Sequence, residues 1–444
     1  MKELIEGQAR RAKVPVNRAR FLAAALFLAT SLLVAPAAAG EPDLASLRRK
    51  LLSAAKRGDM DQTRRYVNEL TDHDDAQVTD ALLYLGTQRH GFYGLALQRL
   101  VDSLRSAGLR RLQDRALRSK RWKERLLAVE ASWRRGEASD DKTIRLAIRE
   151  EDDFRVLRVA VAAARERRLV KAIPHLIDLV DDLGEDDVSV VAHEAGEALR
   201  AISGRQLYTV DGWRTFWEEE GAGFVIPTEV EHESAPRGPR TQLRVQPTFF
   251  SVQLLSKRAV FVIDVSGSMS GESLRRVKQQ LSTLLGELSS ETRFLLLAYS
   301  GATWAERSSK PGARERPLPE TQGGSRWLKR SAKRLTGATR GTIKKARAWI
   351  DALEAGGSTY TAEAIFHAIE TRGVEQVILL SDGSPTDRDR ATGRSLSSEE
   401  SARRIAEWNR FHRVRIDTIG LGGGGARFLQ QVARESGGTY TPID

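Results

Sequence analysis

The sequence predicts an α/β fold: a doubly wound, mostly parallel sheet in the C-terminal part, preceded by an all-α region of helical repeats. Three observations carry this. Residues 43–205 place apolar side chains three and four positions apart and hold one proline, Pro174, which is the pattern of amphipathic helices. Residues 223–248 lose that period and carry Pro227, Pro236, Pro239 and Pro247, which marks a linker. From Phe249 onward, strand-length apolar runs alternate with amphipathic helices, the order expected of parallel strands joined by helical crossovers. The expected plan is a leader over 1–40, a helical domain over 41–222, a linker over 223–250 and an α/β domain over 251–444.

Residues 1–20 carry Lys2, Arg10, Arg11, Lys13, Arg18 and Arg20 against Glu3 and Glu6. An uncharged apolar run of 14 residues follows over 21–34, then APAAAG with Ala37 and Ala39 in an A-x-A arrangement. A basic start, a short apolar run and a small-residue cleavage site make an export signal. The run is short for a spanning helix, which needs about 20 residues. An uncleaved anchor is the alternative reading. Either way, residues 41–444 are expected outside the cytoplasm, periplasmic or secreted.

The chain has 444 residues, 71 basic and 59 acidic, a net charge of +12 and no cysteine. Without cysteine there is no disulfide framework, thiolate zinc site, iron–sulfur cluster or cysteine nucleophile. The positive balance suggests an anionic partner only if the charge is spread over the surface. It is not spread. The leader holds +4, residues 301–345 hold +9, and the remainder is near neutral at −1.

In the helical region, helices starting at Trp122, Phe154 and Val188 begin 32 and 34 residues apart. Between the last two lies a second helix with Pro174 in its first turn, where a missing N–H costs little. Helix pairs that cannot bury their apolar faces alone stack into solenoids. Asp152 and Asp153 before a helix rich in alanine, then AIPHLIDLV as its partner, resemble HEAT repeats over about residues 120–205. An ordinary helical bundle is the alternative. Trp213 and Trp217, four apart, are expected to face the core of a short capping helix.

The apolar runs of the C-terminal part are RAVFVIDV from Arg258, RFLLLAYS from Arg293, EQVILLSD from Glu375 and VRIDTIGLG from Val414. Runs apolar on both faces belong to strands covered by helices on both sides. Ligands of such sheets bind beyond the carboxyl ends of the strands. At the end of the first run stand Asp264, Ser266 and Ser268. Thr359 sits in a glycine-rich loop before a helix, and Asp382 ends a later strand. Two carboxylates and three hydroxyls thus share one edge. Hard divalent cations take such oxygen donors, and Mg²⁺ completes its shell with water.

This pattern, D-x-S-x-S, then T, then D, resembles the metal-ion-dependent adhesion site of von Willebrand factor type A domains. The likeness runs over about residues 255–444. It implies a mostly parallel, Rossmann-like sheet and a bound Mg²⁺, or Mn²⁺ or Ca²⁺. By position, Ser266 and Ser268 would bind the ion directly, and Thr359, Asp264 and Asp382 directly or through water. A register using Ser358 in place of Thr359 would leave Ala362 where the family has an acid, so Thr359 is preferred. Glu363 is expected to serve its helix.

The resemblance implies binding through a partner's Asp or Glu carboxylate. A phosphatase with an aspartyl nucleophile would need a second acid where Ser266 stands. Neither G-x-S-x-G nor G-x-x-x-x-G-K-[ST] occurs, so the usual serine-hydrolase and nucleotide motifs are missing. Gly422–Gly425 form a turn after a strand, a weak hint of a phosphate cradle. The seven histidines are scattered without ligand spacing.

Residues 301–345 carry twelve basic and three acidic residues. This insertion is a solvated loop or an arm for an anionic surface or polymer, and S325–L335 could form a basic helix. The expected function is an exported, non-enzymatic protein that binds a protein partner through its metal, with helical repeats as a second surface. The alternative is a structural or regulatory subunit of an envelope assembly whose metal only stabilises it. No nucleic acid and no small-molecule substrate is expected.

Overall fold

The computed structural model describes residues 43–71, 76–88, 90–103, 117–184, 188–226, 247–300, 334–389 and 393–443. The leader, most of the linker and residues 301–333 of the basic insertion, including most of its expected helix, lie outside these residues.

The helical region comprises α1 (Leu44–Arg57), α2 (Met60–Thr71), α3 (Ala76–Gln88), α4 (His90–Ser103), α5 (Trp122–Arg135), α6 (Asp140–Glu150), α7 (Phe154–Glu166), α8 (Ile173–Leu183), α9 (Val190–Ser203) and α10 (Val210–Glu220). Local chemistry sets several ends. Asp153 accepts the Arg155 amide before α7, Pro174 lies in the first turn of α8, and α5 and α9 stop at Gly136 and Gly204, both left-handed. Only glycine takes that conformation without steric cost.

Helices α5, α7 and α9 stack in one row and α6, α8 and α10 in a second. Across the rows α6 packs on α7 and α8 on α9. The helix after α7 thus packs on the following α9. A short 3₁₀ turn, Val170–Ala172, separates α7 from α8. Leu126, Val156, Ile173, Leu199 and Ile202 are among the side chains that fill the core between the rows. Trp213 is buried there, as expected, against Phe216 at 6.0 Å between ring centroids. Trp217 is only half-buried.

The C-terminal part opens with a two-stranded ribbon, β1 (Thr248–Phe249) and β2 (Val252–Gln253), and continues with β3 (Arg258–Asp264), α11 (Glu272–Glu287), β4 (Arg293–Tyr299), β5 (Thr336–Gly337), α12 (Arg340–Asp351), α13 (Thr361–Ile369), β6 (Gln376–Ser381), α14 (Ser398–His412), β7 (Arg415–Leu421), α15 (Ala426–Ser436) and β8 (Tyr440–Ile443). The sheet order is β5-β4-β3-β6-β7-β8, parallel except for β5. The central strands are buried almost throughout, which explains their continuous apolar runs. The end of the basic stretch is ordered structure: Thr336–Gly337 form the edge strand, and α12 begins at Arg340.

From Leu44 onward the chain is one compact unit. The helical region meets the sheet region where α14 ends and β7 starts. Phe411 of α14 enters the helical core, edge-on to Tyr93 at 4.8 Å and to Trp122 at 6.5 Å. Next to it, the half-buried Arg413 pairs with the buried Glu130, which also accepts the Tyr93 hydroxyl. Burial opposes the Arg413 charge, but Glu130 and Tyr93 outweigh it and hold the guanidinium above its usual range. Arg158 reaches across to the carbonyls of Arg413 and Ser436, the latter at 3.0 Å, while holding Glu194 at 2.8 Å. These contacts lie at the starting ends of the parallel strands, opposite the edge that carries Asp264 and Asp382.

Candidate metal centre

The site grows from the end of β3. The Val265 amide donates to the Tyr299 carbonyl at 2.9 Å, the last tie to β4. The chain then leaves the sheet in a single 3₁₀ turn, Gly267–Met269, and α11 follows after Gly271, whose φ is +80°. Short polar residues suit this turn, because hydroxyls and carboxylates can bond to nearby backbone. The Ser266 amide donates to Asp264 Oδ1 at 2.8 Å.

Ser266 Oγ and Ser268 Oγ lie 3.2 Å apart, and Ser268 Oγ donates to Asp382 Oδ1 at 2.8 Å. Three of the sequence-predicted residues therefore form one row across two strand ends. Asp264 and Ser266 are buried, Ser268 is exposed and Asp382 is half-buried.

Thr359 approaches from the glycine-rich loop. That loop is fastened to the β3 turn by Gly267 N to Gly357 O at 3.0 Å and Gly356 N to Val265 O at 2.8 Å. Thr359 is 7% exposed. Its amide donates to Thr386 Oγ1 at 2.9 Å, and its carbonyl accepts the Thr386 amide at 2.8 Å. Backbone bonds thus tie the loop that carries Thr359 to the β3 turn, and Thr359 makes no side-chain bond to the other four. Glu363 lies in the first turn of α13, where an acidic side chain favours the helix dipole.

Asp264 is fully buried. Its Oδ2 accepts Ser381 Oγ at 2.5 Å and Tyr299 OH at 3.2 Å. Tyr299 OH also lies 3.2 Å from Thr361 Oγ1. Burial pushes the Asp264 carboxyl up, the Ser381 and Ser266 contacts pull it back, and the nearby Asp382 charge adds to the rise. Burial and Asp264 likewise raise Tyr299 well above the usual phenol range. Among the described residues, no guanidinium or ammonium pairs with Asp264 or Asp382. A buried carboxylate without a cationic partner is costly, and a divalent ion is a partner that fits oxygen donors. The residues present fit such an ion. No cluster of three or more His, Cys, Asp or Glu side chains able to hold a metal occurs among the described residues; the candidate site has two carboxylates, and its other side-chain oxygens are hydroxyls.

The sequence reading missed the residues that hold the five in place. Tyr299 and Ser381 orient Asp264, Thr386 clasps Thr359, and Asp387 receives the Ala362 amide at 3.1 Å on Oδ1 at the start of α13. Asp387 is 4% exposed, and burial raises its carboxyl to about 6, opposed by the Ala362 amide, Ser401 and Arg404. Ser381 and Tyr299 end strands beside known candidates, which is a signal of position. Thr386 and Asp387 lie in a loop with no such signal.

Two family models, each for a von Willebrand factor type A domain, match residues 259–315 and 330–441. The chain is similar to inter alpha-trypsin inhibitor, heavy chain 4, of Mus musculus, 29% identical over 144 residues, covering 30% of this chain and 13% of that protein. Heavy chain H2 of Sus scrofa is 26% identical over 148 residues, covering 31% and 13%. This chain therefore matches only a small part of the length of those relatives. Among solved structures, a von Willebrand factor type A protein from Catenulispora acidiphila covers 42% of this chain and 38% of its own, at 18% identity and a TM-score of 0.32. The pilus adhesin SpaC from Lactobacillus rhamnosus GG covers 42% and 28%, at 13% identity and 0.29. The two family models bracket Asp264 to Ser268 on one side and Thr359 to Asp382 on the other, and between them the C-terminal part of this chain is a von Willebrand factor type A domain.

Proposed function

We propose that this chain is an exported, non-enzymatic binding protein that captures an acidic group of a protein partner through a divalent metal. Asp264, Ser266, Ser268, Thr359 and Asp382 would hold Mg²⁺, or Mn²⁺ or Ca²⁺. The observation that carries this is the Ser268 to Asp382 bond at 2.8 Å beside a fully buried Asp264 with no cationic partner among the described residues. A bound ion would supply a positive charge open to an incoming carboxylate. This chain's own residues would do three things: Ser381 and Tyr299 fix the Asp264 carboxylate, Thr386 fixes Thr359, and the β3 turn presents both serine hydroxyls.

Residues 1–40 read as an export signal, and among the described residues no helix is long and apolar enough to cross a membrane. The two rows of helices over 122–220, HEAT-like in sequence, would offer a second surface.

A second reading has its own observation. Asp264 ties β3 to β4 and β6 through Tyr299 and Ser381, so an ion there could serve only to stabilise a subunit of an envelope assembly. Capture of partners from an envelope extract separates the two. Full chain with Mg²⁺ is expected to retain a partner that is released by EDTA and not held by Asp264→Ala. Retention unaffected by EDTA would contradict the adhesion reading.

A further inference from the structure

Four consecutive glycines, Gly422–Gly425, join β7 to α15. Glycine is entropically costly to order, so a run of four needs a reason at each position. Three have a backbone reason: Gly422, Gly423 and Gly425 have φ of +69°, +76° and +70°. Gly424 is not in that region. What excludes a side chain there is space. A Cβ on Gly424 would fall 2.3 Å from the Asp382 carbonyl oxygen and 3.5 Å from Gly383 Cα. A Cβ on Gly425 would fall 2.3 Å from the Gly383 carbonyl oxygen. At Gly422 and Gly423 a Cβ would meet nothing within 4 Å. Only the second half of the turn leans on the segment that carries Asp382.

We propose that Gly424 is a positioning residue for Asp382. Its bare backbone lies against the Asp382 carbonyl and sets how far that residue sits from the β3 turn, at the distance where Ser268 Oγ reaches Oδ1. This explains the glycine run without a phosphate. It rests on the metal-site reading and deepens it, because it assigns a residue with no ligand atom to the placing of a ligand.

Two substitutions separate space from backbone conformation. Gly424→Ala adds a clash without a positive φ. Gly423→Ala adds a strained φ without a clash. Both are made in the full chain and titrated with Mn²⁺ by calorimetry. Gly424→Ala is expected to weaken Mn²⁺ binding by about tenfold or more, the usual scale for residues that orient metal ligands. Gly423→Ala is expected to keep wild-type affinity, whatever its thermal stability. Amide hydrogen exchange on the wild-type chain gives a second test. Because coupling between sites is reciprocal, Mn²⁺ should slow exchange over Gly422–Ala426 as well as over Asp382–Ser384. Should Gly424→Ala fail to fold, that exchange decides. Wild-type affinity in Gly424→Ala, or exchange over Gly422–Ala426 indifferent to Mn²⁺, overturns the proposal alone. A wild-type chain that does not bind Mn²⁺ overturns the metal-site reading and this proposal with it.

Discussion

Asp387 shows how a single buried carboxyl can carry a pH dependence. Burial lifts it to about 6 from 3.8, with Ala362 N, Ser401 and Arg404 opposing the rise. Arg404 is itself shared with Asp389. The folded chain therefore binds this proton more tightly than the unfolded chain does. The stabilising contribution of protonation is complete below about 4 and is lost as pH rises through about 6. Asp387→Asn removes the titration and keeps an oxygen for the Ala362 amide. Its melting temperature is expected to vary less between pH 4 and pH 6 than that of the wild type. An unchanged slope in thermal melts across that window would contradict the assignment.

At the scale of elements, the long ones were legible and the short ones were not. The strands β3, β4, β6 and β7 stand out because both faces are buried, so their apolar runs are uninterrupted. The ribbon β1–β2 has only two residues per strand, and its turn uses Phe250 and Ser251 at φ of +47° and +67°, which no turn motif announces. The edge strand β5 is equally short and lies inside the basic insertion, just after a stretch that could read as a basic helix. Spacing at strand ends was enough to gather Asp264, Ser266, Ser268 and Asp382 on one edge. The side-chain bonds that Tyr299 and Ser381 make to Asp264 join residues more than 30 positions apart, and a linear pattern does not contain them. Helix starts follow local chemistry. Ser397 and Glu400 form a reciprocal capping box at α14, and Ser397→Ala is expected to cost about 1 kcal/mol. Urea unfolding of the variant, with an unchanged slope and a lower midpoint, would measure it.

Across the whole molecule, the linker suggested two domains, yet Phe411 of the sheet region belongs to the helical core. Sequence distance hid this contact, because α14 reads as an ordinary amphipathic helix of its own sheet. Arg413, Glu130 and Tyr93 then form a polar cluster at this contact, with Glu130 and Tyr93 buried and Arg413 half-buried. Breaking a fully buried pair costs about 3–5 kcal/mol; Arg413 is partly exposed and Glu130 keeps Arg134 at 3.7 Å, so a smaller loss is expected on removing Arg413. Phe411→Ala is expected to cost about 3–5 kcal/mol by opening a cavity. Differential scanning calorimetry of the full chain should show helices and sheet melting together, with a large drop in melting temperature for Phe411→Ala. Melting of the sheet unaffected by that change would mean that the two regions are independent.

The helical contacts sit at the starting ends of the strands, so the edge with Asp264 and Asp382 is left to its own loops. Whether that edge holds a metal is the claim on which the binding role depends. Calorimetric titration of Mg²⁺ into the full chain tests it most directly, with Ser268→Ala as the comparison because Ser268 is exposed and its loss spares the core. The wild type is expected to show one saturable site, and Ser268→Ala is expected to lose most of the affinity while keeping its melting temperature without metal. No saturable heat in the wild type, or equal affinity in Ser268→Ala, would contradict it.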